Sequence, residues 1–296
     1  MRRTIFSAFI FSLCLSLALS ACTSNRPQNG GFDNGFLSEP SQSSQPSTPA
    51  EPSEPSEQTP PTPSPAPTEQ SVFWDDSAVD ISLLNQNKKL ISFTFDDGPG
   101  KTLENILAVF ADFNENNPDC IATATLFCNG RLINESSAQT LSMATLLGWE
   151  LGNHTYSHCD LAQLPDERLG YEIDTVETQL EKIDKKPRHL FRAPYGRITE
   201  EAKAHAGVPV FNWTVDTLDW TGISAEEIYN EVMTKAYAGA IVLMHDGYLE
   251  TVRALKRLLP DLKNAGYQVT GVSQMAKAHG CKLKNGSEYI RCRPQK

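Results

Sequence analysis

Positive charge is the scarcer kind in this 296-residue chain: 26 Lys and Arg stand against 36 Asp and Glu, a formal net charge of −10. That balance lacks the basic surface that grips a phosphate backbone, so no nucleic-acid partner is expected. Long apolar runs are also missing after the first residues. The run Ile5 to Leu19 is shorter than the stretch of about 20 residues that crosses a bilayer. Histidine is sparse, six in all, so a pair four positions apart, His154 and His158, stands out. The cysteines of the C-terminal part, at 120, 128, 159, 281 and 292, are odd in number and cannot all pair internally.

What is present divides the chain. Arg2 and Arg3 precede the apolar run, and Leu19-Ser20-Ala21-Cys22 closes it, so residues 1–21 read as a signal peptide. The closing tetrad looks like a bacterial lipobox. That resemblance implies cleavage before Cys22, lipidation of its sulfur, and an extracytoplasmic protein anchored to the cell membrane; an ordinary secretion signal is the alternative. Residues 22–70 form a tether: 11 of the 19 prolines lie in it, with Ser, Thr, Gln and Glu filling most of the rest. Such a segment buries too little to fold and could reach on the order of 100 Å when stretched. Residues 71–280 suffice for one domain with its own core. The stretch 281–296 carries Lys282, Lys284, Arg291, Arg293 and Lys296 against Glu288 and is expected to be a short, solvated basic tail. Within it, Cys281 and Cys292 flank a short polar loop and could pair in an oxidising exterior.

Apolar periodicity predicts strands at 89–95, 121–128, 149–152, 190–193, 208–215, 240–245 and 267–272. Helical spacing predicts helices at 102–114, 137–147, 165–183, 200–205, 225–238, 251–265 and 273–278. Strict alternation argues a parallel α/β arrangement. Sites in such folds lie at the strand C-terminal ends, and Asp96, His154, Arg192, Asp216 and His245 all fall at or just after an expected strand.

Adjacent carboxylates such as Asp96 and Asp97 repel unless a cation holds them. An Asp with two His leaves open positions on a divalent ion, which a hydrolytic site needs. Five pieces occur in order: Thr94-Phe95-Asp96-Asp97-Gly98-Pro99; His154-Thr155-Tyr156-Ser157-His158; Arg192-Ala193-Pro194-Tyr195-Gly196; Asp216-Thr217-Leu218-Asp219-Trp220; and Leu243-Met244-His245. Each alone is weak; the ordered set closely resembles the polysaccharide deacetylases with a NodB homology domain, carbohydrate esterase family 4, over about residues 88–278.

The resemblance implies a distorted (β/α)7-type barrel of parallel strands in a single catalytic domain. It implies Asp97, His154 and His158 as ligands of one divalent ion, with zinc, cobalt and nickel all suited. Asp96 matches the general base, Arg192 the cation that orients it, and the Tyr195 N–H an oxyanion donor. His245 matches the general acid. Asp216 matches the carboxylate that tunes this histidine, with Asp219 a near rival. Trp220 and Leu243 match apolar residues around the acetyl methyl. The implied substrate is an acetylated polysaccharide, with N-acetylglucosamine-type sugars of peptidoglycan first. Chitin oligomers, an exopolysaccharide or acetylxylan remain alternatives, and the domain is taken to act as a monomer. A non-catalytic glycan-binding lipoprotein would not need acid, base and ligands together, and a solute receptor would need two lobes. The chain departs from the usual pattern at Leu126, where an aromatic is common, and at Cys159, where proline is common. His189, His205 and His279 match no motif and read as ordinary histidines.

Overall fold

We describe a computed structural model of the chain, covering residues 72–85 and 87–295. The expected signal peptide, Cys22 and the whole of the 22–70 tether lie outside the described residues. Among the described residues, nine strands occur in the order β1 (Lys89–Gly98), β2 (Thr125–Cys128), β3 (Glu150–Asn153), β4 (Leu190–Phe191), β5 (Val210–Phe211), β6 (Val215–Asp216), β7 (Ile241–His245), β8 (Tyr267–Thr270) and β9 (Glu288–Tyr289). Interleaved with them are α1 (Leu103–Asn116), α2 (Glu135–Leu146), α3 (Leu169–Asp184), α4 (Glu200–Ala206), α5 (Ala225–Lys235), α6 (Leu249–Asn264) and α7 (Val272–Ala278). The sheet runs β6-β7-β1-β2-β3-β4-β5-β9, with β8 on the first residues of β1. Every ladder between these strands is parallel. The expected barrel of parallel strands is thus present as a curled, incompletely closed sheet.

Alternation along the strands sorts side chains between two cores. Ile91, Phe93 and Phe95 of β1 and Val242 and Met244 of β7 pack outward against the helices, with Phe110 of α1 and Leu255 and Leu258 of α6. Leu90, Phe127, Phe211 and Ile241 point inward, over Val272 and Met275 of α7, which plugs the lower end. Ser92, Thr94 and Asp96 share that inward face, and β1–β7 register sets Asp96 beside His245. A strand that buries both faces reads as a near-continuous apolar run, which is why β1 was legible and why its inward polar residues matter.

Two expectations need correction. The strand expected at 208–215 is two: β6 at one end of the sheet path and β5 next to β9 at the other. The carbonyls of Phe211 and Asn212 are turned to the Arg192 guanidinium, at 2.8 and 3.2 Å, which removes them from a continuing ladder. The basic tail is not solvated: β9 pairs with β5, Ala240 bridges Arg291, and Leu283 and Cys292 are buried. Its charges lie on exposed positions between buried ones, so composition hid an apolar, alternating segment. Cys281 and Cys292 are both free thiols, and Cys281 Sγ–H donates to the Arg293 carbonyl at 3.3 Å.

Candidate active site

Two neighbouring residues of a strand point to opposite faces, yet Asp96 and Asp97 reach the same site. The reason is local: Asp97 has φ 66°, and the β1–β2 register shifts between Phe95 and Gly98. This left-handed twist, unusual for a non-glycine residue, rolls the second carboxylate back over the strand end. The His154–His158 segment is no helix; Thr155 and His158 are left-handed too, with φ 66° and 61°. Tyr195 at 61° and Leu218 at 56° complete a ring of strained positions around the strand C-terminal mouth. Such strain persists where surrounding structure fixes it, commonly at active sites.

Asp97, His154 and His158 offer ligand atoms all within 4.8 Å of one another. Asp97 Oδ1 lies 3.0 Å from His158 Nε2 and 3.5 Å from His154 Nε2. It is buried and makes no well-aligned hydrogen bond. Burial alone would raise its carboxyl; the His154 and His158 rings outweigh that and hold it far below the usual carboxylate range. His154 Nδ1–H donates to the Arg192 carbonyl at 2.7 Å, leaving the Nε2 lone pair for an ion. Ligand atoms about 3.0–3.5 Å apart suit a common ion about 2.1 Å from each. These three residues therefore fit a divalent metal. Cys159 does not join them: burial first, then the Glu172 carboxylate, pushes its thiol up to about 11.

Arg192 is fully buried. Its Nη1 donates to Asp96 Oδ1 and to Thr94 Oγ1, both at 2.7 Å, and its guanidinium lies 4.3 Å from the Phe127 ring centroid. Asp96 is thereby held with one oxygen occupied and Oδ2 turned toward the metal ligands, 3.7 Å from His154 Nε2.

The partner of His245 is Asp219, not Asp216. His245 Nδ1–H donates to Asp219 Oδ1 at 2.7 Å, while Asp219 Oδ2 accepts from the His245 N–H at 2.8 Å and from Thr251 Oγ1 at 2.6 Å. Asp216 Oδ1 instead accepts from the Leu218 N–H at 3.0 Å, shaping the turn that delivers Asp219. Burial opposes charge on His245, but Asp219, with Asp96 and Asp97 behind it, raises its pKa. Leu243 is buried on the same inward face as His245, two residues before it. Tyr195 stands on a one-turn helix with its ring edge-on to His158, and Trp220 is 54% exposed beside Asp219. Leu126, at the position that departs from the pattern, packs outward into the helix-side core.

Residues 84–208 match the polysaccharide deacetylase family. The peptidoglycan-N-acetylglucosamine deacetylase of Bacillus cereus is 34% identical over 200 residues, which span 64% of this chain and 90% of that protein. The chain belongs to the polysaccharide deacetylase family. The peptidoglycan-N-acetylmuramic acid deacetylase PdaC of Bacillus subtilis is 32% identical over 193 residues, 65% of this chain and 40% of that protein. The solved structure of PdaC superposes with TM-score 0.61, covering 67% of this chain and 94% of that one. A bifunctional xylanase/deacetylase of Pseudobutyrivibrio xylanivorans is 30% identical over 66% of this chain, which spans 32% of that longer protein. The catalytic domain of this family member is thus of the deacetylase class.

Several residues of this deacetylase domain carried no motif. Glu172 of α3 is buried; its oxygens accept from the Ser157 N–H and Oγ–H, each at 2.8 Å, bracing the turn between the two histidines. The signal was an acid on the helix's apolar stripe, between Leu169 and Ile173. Asp246 accepts from the Gly100 N–H at 2.5 Å and from Thr102 Oγ1 at 2.9 Å, fastening the loop after Asp97 to the loop after His245. A Cβ on Gly98 would stand 2.9 Å from Asp246 Oδ2, so a side chain there would push the Asp246 carboxylate out of place.

Proposed function

We propose that this chain is a metal-dependent hydrolase that removes N-acetyl groups from a cell-surface polysaccharide, foremost the GlcNAc-type sugars of peptidoglycan. The observation that carries the reading is the convergence of Asp97, His154 and His158 with an Arg192-bound Asp96 on one side and an Asp219-bound His245 on the other. Peptidoglycan deacetylases among the relatives support the choice of polymer.

Asp97, His154 and His158 would hold the ion, with zinc first and cobalt or nickel also suited to this donor set. When bound, such an ion polarises the amide carbonyl and lowers the pKa of the attacking water. Asp96 accepts the proton of that water through Oδ2. Arg192 holds the other oxygen, Oδ1, and so fixes the direction of Asp96. The Tyr195 N–H, in the first turn of its short helix, donates to the carbonyl oxygen as negative charge develops there. His245 delivers its Nε2 proton to the departing amine, and Asp219 holds Nδ1–H so that Nε2 faces the site. A raised His245 pKa keeps that acid protonated toward neutral pH.

Lipidation at Cys22 and the 22–70 tether would hold the domain outside the cell, within reach of the wall and anchored to the membrane as a monomer. Acetate release tests the substrate directly. The protein loaded with zinc should release acetate from peptidoglycan faster than from chitooligosaccharides or acetylxylan. Release only from acetylxylan would replace the amide reading by an ester one.

A further inference from the structure

His189 matches no motif, yet its side chain is 1% exposed and bound at both ring nitrogens. Nδ1 lies 3.0 Å from Glu177 Oε2, Nε2 lies 3.0 Å from Asp184 Oδ1, and the His189 N–H donates to the same Glu177 oxygen at 3.1 Å. Two carboxylates can only accept, so both ring nitrogens must carry protons. Lys186, 3.6 Å from Asp184, is the other cation facing the cluster.

The far oxygen of Glu177 leads to the metal-site turn. Glu177 Oε1 accepts from Asn153 Nδ2 at 2.8 Å, and the same amide nitrogen donates to the Ile173 carbonyl at 3.0 Å. With both its N–H bonds committed there, the Asn153 amide must turn Oδ1 the other way. That oxygen accepts from the Thr155 N–H at 3.0 Å. Thr155 Oγ1 in turn accepts from the His158 N–H at 3.1 Å. Thr155 and His158 are the two left-handed residues of the turn. The chain of bonds therefore runs from a buried cation to the strained backbone that presents His154 and His158.

We infer that His189 and Glu177 are positioning residues: together they lock the Asn153–His158 turn in the shape that offers its two histidines to a metal ion. The inference rests on the reading of Asp97, His154 and His158 as the metal site. Burial opposes the charge on His189, but Asp184 and Glu177 prevail and push the imidazole up to about 9, which agrees with the geometry. In Glu177→Gln the amide cannot accept from both His189 and Asn153. In His189→Asn the ring that holds Glu177 Oε2 in place is gone.

The test uses the full chain, wild type and both variants. Zinc affinity is measured by chelator competition, and amide hydrogen exchange is followed at Thr155 and His158 in the metal-free protein. Loss of a partner behind a metal ligand weakens binding by about 10- to 100-fold. Both variants should show that loss, with faster exchange at Thr155 and His158 than at Phe93 and Phe95 of β1. Zinc affinity within about twofold of wild type, well below that range, with unchanged exchange at Thr155, would overturn the inference even if the melting temperature fell. If wild type binds no zinc, the metal-site reading fails by itself. Exchange at Thr155 then decides alone: faster in both variants upholds the lock, unchanged refutes it.

Discussion

Asp219→Asn probes the acid half of the site, where two candidate carboxylates stand three residues apart. Asp219 accepts from His245 Nδ1–H at 2.7 Å, whereas the Asp216 carboxylate accepts from the Leu218 N–H. A hydrogen bond to a charged group contributes about 1.5–3 kcal/mol, and each 1.36 kcal/mol of barrier is about tenfold in rate. Asparagine at 219 should therefore lower kcat by about ten- to hundredfold. The pH profile adds the sign. Asp219 raises the His245 pKa, so wild type keeps a protonated acid to higher pH. Losing that charge should move the alkaline limb of the rate profile to lower pH. Asp216→Asn should stay within about threefold of wild type, the loss of a single turn bond of about 1 kcal/mol or less. The assay is acetate release from N-acetylglucosamine oligomers between pH 5 and 10, with melting temperature as the check on folding. The reasoning fails if Asp216→Asn shifts the limb while Asp219→Asn leaves it in place.

The His189 cluster also predicts a pH dependence of stability. Its folded pKa of about 9 lies above the unfolded value of about 6.5. The contribution is thus fully present below pH 6.5 and lost as pH rises through 9, on the order of 3 kcal/mol. The urea midpoints of wild type and His189→Asn should differ near pH 6 and converge above pH 9. Gly152→Ala would place a Cβ 2.5 Å from the Phe127 ring that lies under Arg192. It should lower stability by about 1–3 kcal/mol in urea unfolding, as overpacked cores do, and reduce activity with it. At the other end of the chain, Cys22→Ser should move the protein from a membrane pellet that resists salt to the uncleaved or released fraction, because acyl burial is apolar.

Much of the site was legible because strand ends in a parallel α/β fold collect function. Asp96, Arg192 and His245 could be placed by finding the strand before each. The choice between Asp216 and Asp219 was not legible: it depends on Leu218 taking a left-handed turn and on Thr251 of α6 approaching from 32 residues away. The splitting of 208–215 was hidden for the same reason, since only the folded chain brings Arg192 to the carbonyls of Phe211 and Asn212. The C-terminal segment was misread because its charges outweighed Leu283 and Cys292 in composition, although their alternation with exposed lysines and arginines was there to see. His189 was passed over because its acids lie 5 and 12 residues before it in α3, a spacing that no local pattern marks.

The central claim is that one ion held by Asp97, His154 and His158 serves a reaction whose base is Asp96. Its most direct test is a titration of metal-free protein with zinc, reading bound metal and acetate release in the same samples. Acetate release should rise in step with bound zinc and level off at one ion per chain. His154→Ala should lose both signals, whereas Asp96→Asn should bind zinc as wild type does and lose turnover by about 100-fold or more. Acetate release that persists in metal-free His154→Ala, or full turnover in Asp96→Asn, would contradict the account.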